Sequence, residues 1–124
     1  MQDIKWVPVP GFWGYFISDQ GVVSELTPRG RKLLRAGRNT SGHMTVTLYD
    51  AHRKPFKRYI HRLVLLAFVG EPAPGHIACH ADDDPANNRL SNLRWDTHAA
   101  NFADALRNGR FDRFLAQHER ATTA

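Results

Sequence analysis

One stretch of the chain, CHADDDPANNRLSNLRWDTHAAN at 79–101, holds residues whose types and spacing suit a reaction. His80, Asn92 and Asn101 are separated by twelve and then nine residues. A strand end, the base of a returning strand and the first turn of a crossing helix can bring three such positions to one cavity. Hydrolysis of a phosphodiester needs a base that activates water and a cation that offsets charge on the phosphate and the leaving oxygen. A histidine titrates in the right range for the first task. Asn and Asp oxygens suit a hard divalent ion for the second. Asn92 is placed to tie the loop to its own backbone and hold the His80 ring in one orientation.

The flanking sequence must build the elements that hold these groups. YFIS and VVSE read as short strands around an Asp-Gln-Gly turn, KLLRA (32–36) as a weak strand, and HMTVTLY (43–49) with FKRYI (56–60) as a hairpin. At Ile60 the period changes. Apolar residues at 60, 63, 64, 67 and 68 predict an amphipathic helix that stops at Gly70. HIACH then predicts a strand, ADDDPANNRLS a long loop, and NLRWD the returning strand. Thr97 is a predicted N-cap for HAANFADALRN, which Gly109 ends. A second short helix is expected in the tail.

The composition fits a single compact chain. Of 124 residues, 42% are hydrophobic, enough for a core, and 23% are charged. The longest apolar run, LVLLAFV, is far below the ~20 residues that span a bilayer, so no membrane association is expected. The N-terminal MQDIKWVPVPGFW lacks the basic and apolar regions of a secretion signal, and the single cysteine, Cys79, rules out an internal disulfide. A reducing, cytoplasmic setting is the expectation. Charge is unevenly distributed. Residues 29–62 hold ten Lys or Arg against one acid, whereas the rest of the chain holds seven against eleven. A basic half of this kind suits docking on phosphates.

The stretch resembles the HNH endonucleases of the phage and intron-encoded homing type. Their pattern, roughly [D/N]-H-x-D-G-[N/D]-x-x-N-N followed by N-L-x-W-x-T-x-x-x-N, is matched by Cys79 through Asn88 and by Asn92 through Thr97 with Asn101. IHRLVLLAFVG resembles the helix that precedes their site, and FWGYFISDQGVVSE their N-terminal module. The resemblance implies an α+β fold: a small N-terminal antiparallel β-sheet (1–59), a ββα-metal nuclease core with its preceding helix (60–109), and a short helical tail (110–124).

It further implies that His80 is the general base, Asn92 the structural residue of the catalytic motif, and Asn101 a metal ligand. Cys79 stands where the family often has a metal-ligating Asp, and Asp83 where it usually has Gly. A thiolate at that position shifts preference from Mg²⁺, the first expectation, toward Mn²⁺ or Zn²⁺, and Asp82 is the candidate for a missing oxygen ligand. Double-stranded DNA is the implied partner. Arg29, Arg31, Lys32, Arg35, Arg38, Arg53, Lys54, Lys57 and Arg58 are candidates for phosphate contacts, and Arg89 and Arg94 for the scissile phosphate itself. Two other classes are carried forward: a DNA-binding module that has lost cleavage through Cys79, and a zinc-stabilised interaction domain built on His76, Cys79, His80 and His98. Whether one copy or two act together stays open.

Overall fold

The computed structural model describes residues 3–112; the second tail helix lies outside this range. Strands β1 (Trp6–Pro8), β2 (Tyr15–Ser18), β3 (Val23–Thr27) and β4 (Gly30–Leu33) form an antiparallel sheet in chain order. Strands β5 (Gly37–Arg38), β6 (Met44–Tyr49) and β7 (Pro55–Tyr59) form a second. Helix α1 (Ile60–Phe68) follows directly, then β8 (Ile77–His80), a single 3₁₀ turn (Leu90–Asn92), β9 (Leu93–Asp96) and α2 (His98–Arg107). β8 and β9 pair antiparallel, with His80 opposite Leu93 and Cys79 opposite Arg94. The α+β class and its order agree with the sequence expectation, and the N-terminal β region divides into two sheets.

Several boundaries follow from local chemistry. β1 carries Pro8 and is an edge strand, where the missing N–H costs no ladder bond. β4 starts at Gly30 rather than Lys32, because Thr27 and Gly30 pair across the tight Pro28-Arg29 turn. Gly70, at φ +113°, takes up the left-handed backbone that stops α1, and its N–H donates to the Leu65 carbonyl at 2.9 Å. Thr97 caps α2, its Oγ1 accepting from the Ala100 N–H at 3.1 Å.

One apolar cluster joins all of these parts. Val9, Tyr15, Ile17 and Val23 from the first sheet meet Val46 and Leu48 from the second. Ile60, Leu63, Val64 and Leu65 of α1 and Leu93 of β9 complete it. Burying a side chain of this size is worth roughly 1.5–3 kcal/mol, so the two β-sheets and the ββα unit are held in a fixed relation. Tyr15 adds a polar tie, its hydroxyl accepting from the Tyr49 N–H at 3.1 Å.

Candidate active site

The loop between β8 and β9 is closed by Asn92 and Asp82. Asn92 Nδ2 donates to Asp82 Oδ1 and to the Asn87 carbonyl, each at 2.9 Å, while its Oδ1 accepts from the Asp82 N–H at 3.2 Å. Asp82 accepts further from the Asp84 N–H (2.9 Å) and from Asn87 Nδ2 (2.8 Å). Burial would raise the Asp82 pKa, but these donors together hold it below the usual carboxylate range. Both of its oxygens are therefore engaged inside the loop. Asp83 follows with φ +60°. That conformation costs glycine nothing and is tolerated by Asp, which accounts for the glycine in the pattern the stretch resembles.

His80 is buried, and its Nε2 lies 2.8 Å from Asn88 Oδ1. With the amide oxygen as acceptor, Nε2 carries the proton and the lone pair sits on Nδ1. Asn88 is itself buried, wedged beneath the Asp19-Gln20-Gly21 turn. A Cβ at Gly21 would fall 2.7 Å from the Asn88 carbonyl oxygen, and the Leu90 N–H donates to the Asp19 carbonyl at 2.8 Å. The first sheet thus braces the residue that orients His80.

Two more imidazoles surround His80. His61, on α1, stacks on it with ring centroids 5.1 Å apart and 14° between the planes. His43, just before β6, lies 5.3 Å from His61 and 6.0 Å from His80. Burial, then the neighbouring His80 and His43, press the His61 pKa down to about 3. Burial and His80 also lower that of His43. These two rings are therefore neutral near pH 7.

His80 and Asn101 line one cavity of about 290 Å³. His43 and Ser41 approach it from the β5–β6 turn, and Asp83 and Arg110 close it from the loop and the segment after α2. Arg110 Nη1 lies 3.3 Å from Asp83 Oδ1. Oxygen and nitrogen donors of this kind fit a divalent cation. Of the larger cavities, the two of about 540 and 620 Å³ surround the exposed Trp13. Neither contains a histidine or an asparagine.

Residues 58–103 match the HNH endonuclease family. The segment that carries His80, Asn92 and Asn101 is thus of HNH type. Over 106 residues, 84% of the chain, it is 32% identical to an uncharacterized HNH endonuclease of Acanthamoeba polyphaga mimivirus. It is 27% identical over 116 residues to DNA endonuclease I-HmuI of Bacillus phage SP01. The chain spans 26% of the first relative and 64% of the second. A solved structure of the HNH homing endonuclease I-HmuI, described for DNA binding and cleavage, superimposes with a TM-score of 0.73 at 25% identity. That match covers 94% of this chain and 68% of the other.

Within this HNH frame, several predicted site residues stand apart from the cavity. Cys79 alternates with His80 along β8, so its side chain takes the opposite face. It is 1% exposed beside Arg94, Asp96 and Asp104, and burial pushes its thiol pKa up. The set His76, Cys79, His80 and His98 does not converge: among the described residues, no three His, Cys, Asp or Glu side chains are grouped to hold a metal. Arg94 is committed elsewhere, at 2.8 Å from Asp96 and 2.7 Å from the buried Asp104. Arg89 is exposed and does not line the cavity. The guanidinium that does is Arg110, which follows Gly109 and carries no motif signal.

The nine basic residues of the β half are all exposed, but they do not share one face. Arg35, Arg38 and Lys57 line one groove. Lys57 and Arg58, adjacent in a strand, point to opposite sides, and Arg58 stacks on Phe56 and Phe12 with its guanidinium carbon 5.0 and 5.4 Å from their centroids. Arg31 lies 4.4 Å above the Trp6 ring.

Proposed function

We propose that this chain is a divalent-metal-dependent DNA endonuclease, hydrolysing phosphodiester bonds by nicking or double-strand cutting. The observation that carries the reading is the shared cavity of His80 and Asn101, in a segment of HNH type whose relative I-HmuI is a DNA endonuclease.

In this reading His80 is the general base. Its Nδ1 faces the reacting water, because Asn88 engages Nε2. As the water is deprotonated, Asn88 remains hydrogen-bonded to the Nε2–H and steadies the resulting imidazolium. His61 fixes the ring plane from the other side and stays neutral, so it adds no repelling charge. Asn101 would hold the divalent ion, Mg²⁺ or a similar cation, which when bound offsets charge on the phosphate and on the 3′ leaving oxygen. Arg110 is the nearest candidate to steady the scissile phosphate. Asn92 acts through structure: it closes the loop that presents His80. The basic groove of Arg35, Arg38 and Lys57 would take the duplex backbone.

Plasmid relaxation in Mg²⁺ or Mn²⁺ tests this. The expected result is cutting that His80→Ala abolishes while folding is retained. Unchanged cutting by that variant removes His80 from the role. A DNA-binding module without cleavage is the second reading, favoured by the placement of Cys79 away from the cavity. It predicts salt-dependent DNA affinity and no cutting with any divalent ion.

A further inference from the structure

The cavity has fewer free donors than the motif suggests. Cys79 lies on the far face of β8, and the Asp82 oxygens are taken up within the loop. Asp83 Oδ1 faces Arg110. Besides Asn101 and the His80 Nδ1 that serves the water, a further donor lines the cavity on a residue outside the HNH pattern: His43.

The protonation pattern of His43 is set by its own turn. Asn39 Oδ1 accepts from the backbone N–H groups of Ser41 (3.1 Å) and His43 (2.9 Å), so the amide oxygen must point there. The Ser41 hydroxyl lies 2.8 Å from that oxygen and 2.8 Å from His43 Nδ1. An amide oxygen only accepts, so the single hydroxyl proton goes to Asn39. Ser41 Oγ must then accept from the Nδ1–H of His43. The neutral ring is left with its lone pair on Nε2, which makes no hydrogen bond among the described residues.

The turn itself is held against the loop. A Cβ at Gly42 would meet Pro85 Cγ at 3.2 Å, and Arg38 Nε donates to the Gly42 carbonyl at 3.3 Å. Tyr59 and His61 contact the ring edge-on and at a tilt, with centroids 5.8 and 5.3 Å away. His43 is therefore held by its own turn and by the Tyr59 and His61 rings.

We propose that His43 Nε2 is a ligand of the divalent ion at this cavity, beside Asn101. The inference rests on the nuclease reading above. An imidazole in place of a carboxylate is accepted better by a transition-metal ion than by Mg²⁺, so Mn²⁺ binds in preference to Mg²⁺. The β half of the chain would then supply part of the metal centre as well as the DNA contacts.

Mn²⁺ added to the purified full chain provides the probe, read by pulsed electron paramagnetic resonance for coupling to an imidazole nitrogen and by titration for affinity. The wild type should show the coupling. His43→Phe, which keeps an aromatic ring against Tyr59 and His61, should lose it. It should also weaken Mn²⁺ binding by more than the roughly 10–100-fold of a lost outer-shell partner. His80→Ala should retain the coupling. Nitrogen coupling that persists in a folded His43→Phe protein overturns the assignment, as does absence of coupling in the wild type. Should the Phe variant not fold, His43→Gln gives the same reading. Plasmid cutting measured in parallel separates the two failures. Cutting by the wild type with coupling unaffected by His43 substitution leaves the nuclease and removes the ligand, whereas neither binding nor cutting removes both.

Discussion

Asn88 Oδ1 sits 2.8 Å from His80 Nε2, and directly behind Asn88 the backbone of Gly21 leaves no room for even a methyl group. A turn in the first sheet is thereby linked to the imidazole through one buried amide. Asn88→Ala should leave Nε2 without its acceptor and free the ring to rotate. Cutting is expected to fall by about 10²-fold, the scale of a misplaced catalytic group. Leaving the buried partner unsatisfied should cost about 1–3 kcal/mol in urea unfolding. Wild-type cutting by Asn88→Ala would show that the ring needs no such anchor.

Gly21 and Gly14 give a matched comparison. Both have positive φ, +80° and +85°, but a Cβ at Gly14 meets nothing within 4 Å. Gly14→Ala should lose only the backbone preference, about 1–2 kcal/mol. Gly21→Ala adds a clash with the Asn88 backbone and should be clearly less stable, with slower cutting because Asn88 is displaced. Equal melting temperatures for the two variants would contradict the close approach.

His61 sets a pH dependence of stability. Its folded pKa, about 3, lies below the ordinary histidine value of 6.5, so in that window the unfolded chain binds a proton that the folded chain does not. Stability from this group is therefore present above pH 6.5 and is lost as pH falls toward 3. The slope is about 1.4 kcal/mol per pH unit. Its ring faces His43, His80, Tyr59 and Arg62, of which the histidines and Arg62 repel the charged form. Unfolding in chelator between pH 7 and 5 should show this loss, and His61→Phe should flatten it.

Asp104 is 2% exposed and paired with Arg94 and Arg107. Burial alone would raise its pKa, but the two guanidinium groups hold the carboxyl below the usual range. Asp104→Ala leaves Arg94 without its buried partner and should lower stability, by less than the about 3–5 kcal/mol of a fully buried pair because Arg94 reaches solvent and keeps Asp96. Because Arg94 is on β9 and Asp104 on α2, the loss should also loosen Asn101. Arg94→Met combined with Asp104→Leu should recover much of the stability, as the charges that then lose a partner, Asp96 and Arg107, both reach solvent. Thermal melts of the single and double variants read this directly.

The groove cations predict a salt signature. Each of Arg35, Arg38 and Lys57 that contacts a phosphate should reduce the slope of log K against log salt by about 0.9 when replaced by Ala. Replacing Arg94 should leave the slope unchanged, because its guanidinium is already paired. A triple groove variant with the wild-type slope would move the DNA to another face.

Local chemistry wrote much of this molecule into the sequence. The 3.6-residue period of IHRLVLLAFVG, the Thr97 cap and the stop at Gly70 act over a few residues, so they are legible one segment at a time. The spacing of His80, Asn92 and Asn101 was legible for the same reason: strand, loop and helix start are each fixed locally, and the cavity joining His80 to Asn101 follows from their order. What pairs across long distances was not. A two-residue strand such as β5 has no period to read, and β1 looks unsuited to a sheet until its position at an edge is known.

Side-chain partners were hidden for a related reason. Composition counts Arg94 and Arg110 alike as cations, but only packing against α2 commits Arg94 to Asp104 and leaves Arg110 at the cavity. Asn88 reads as one more loop amide until the turn of the first sheet closes over it. His43 lies 37 residues before His80, with nothing between them in the sequence to link the two. Their rings meet because burial of one apolar core draws the second sheet against the ββα unit, a gain summed over the whole chain that no local window contains.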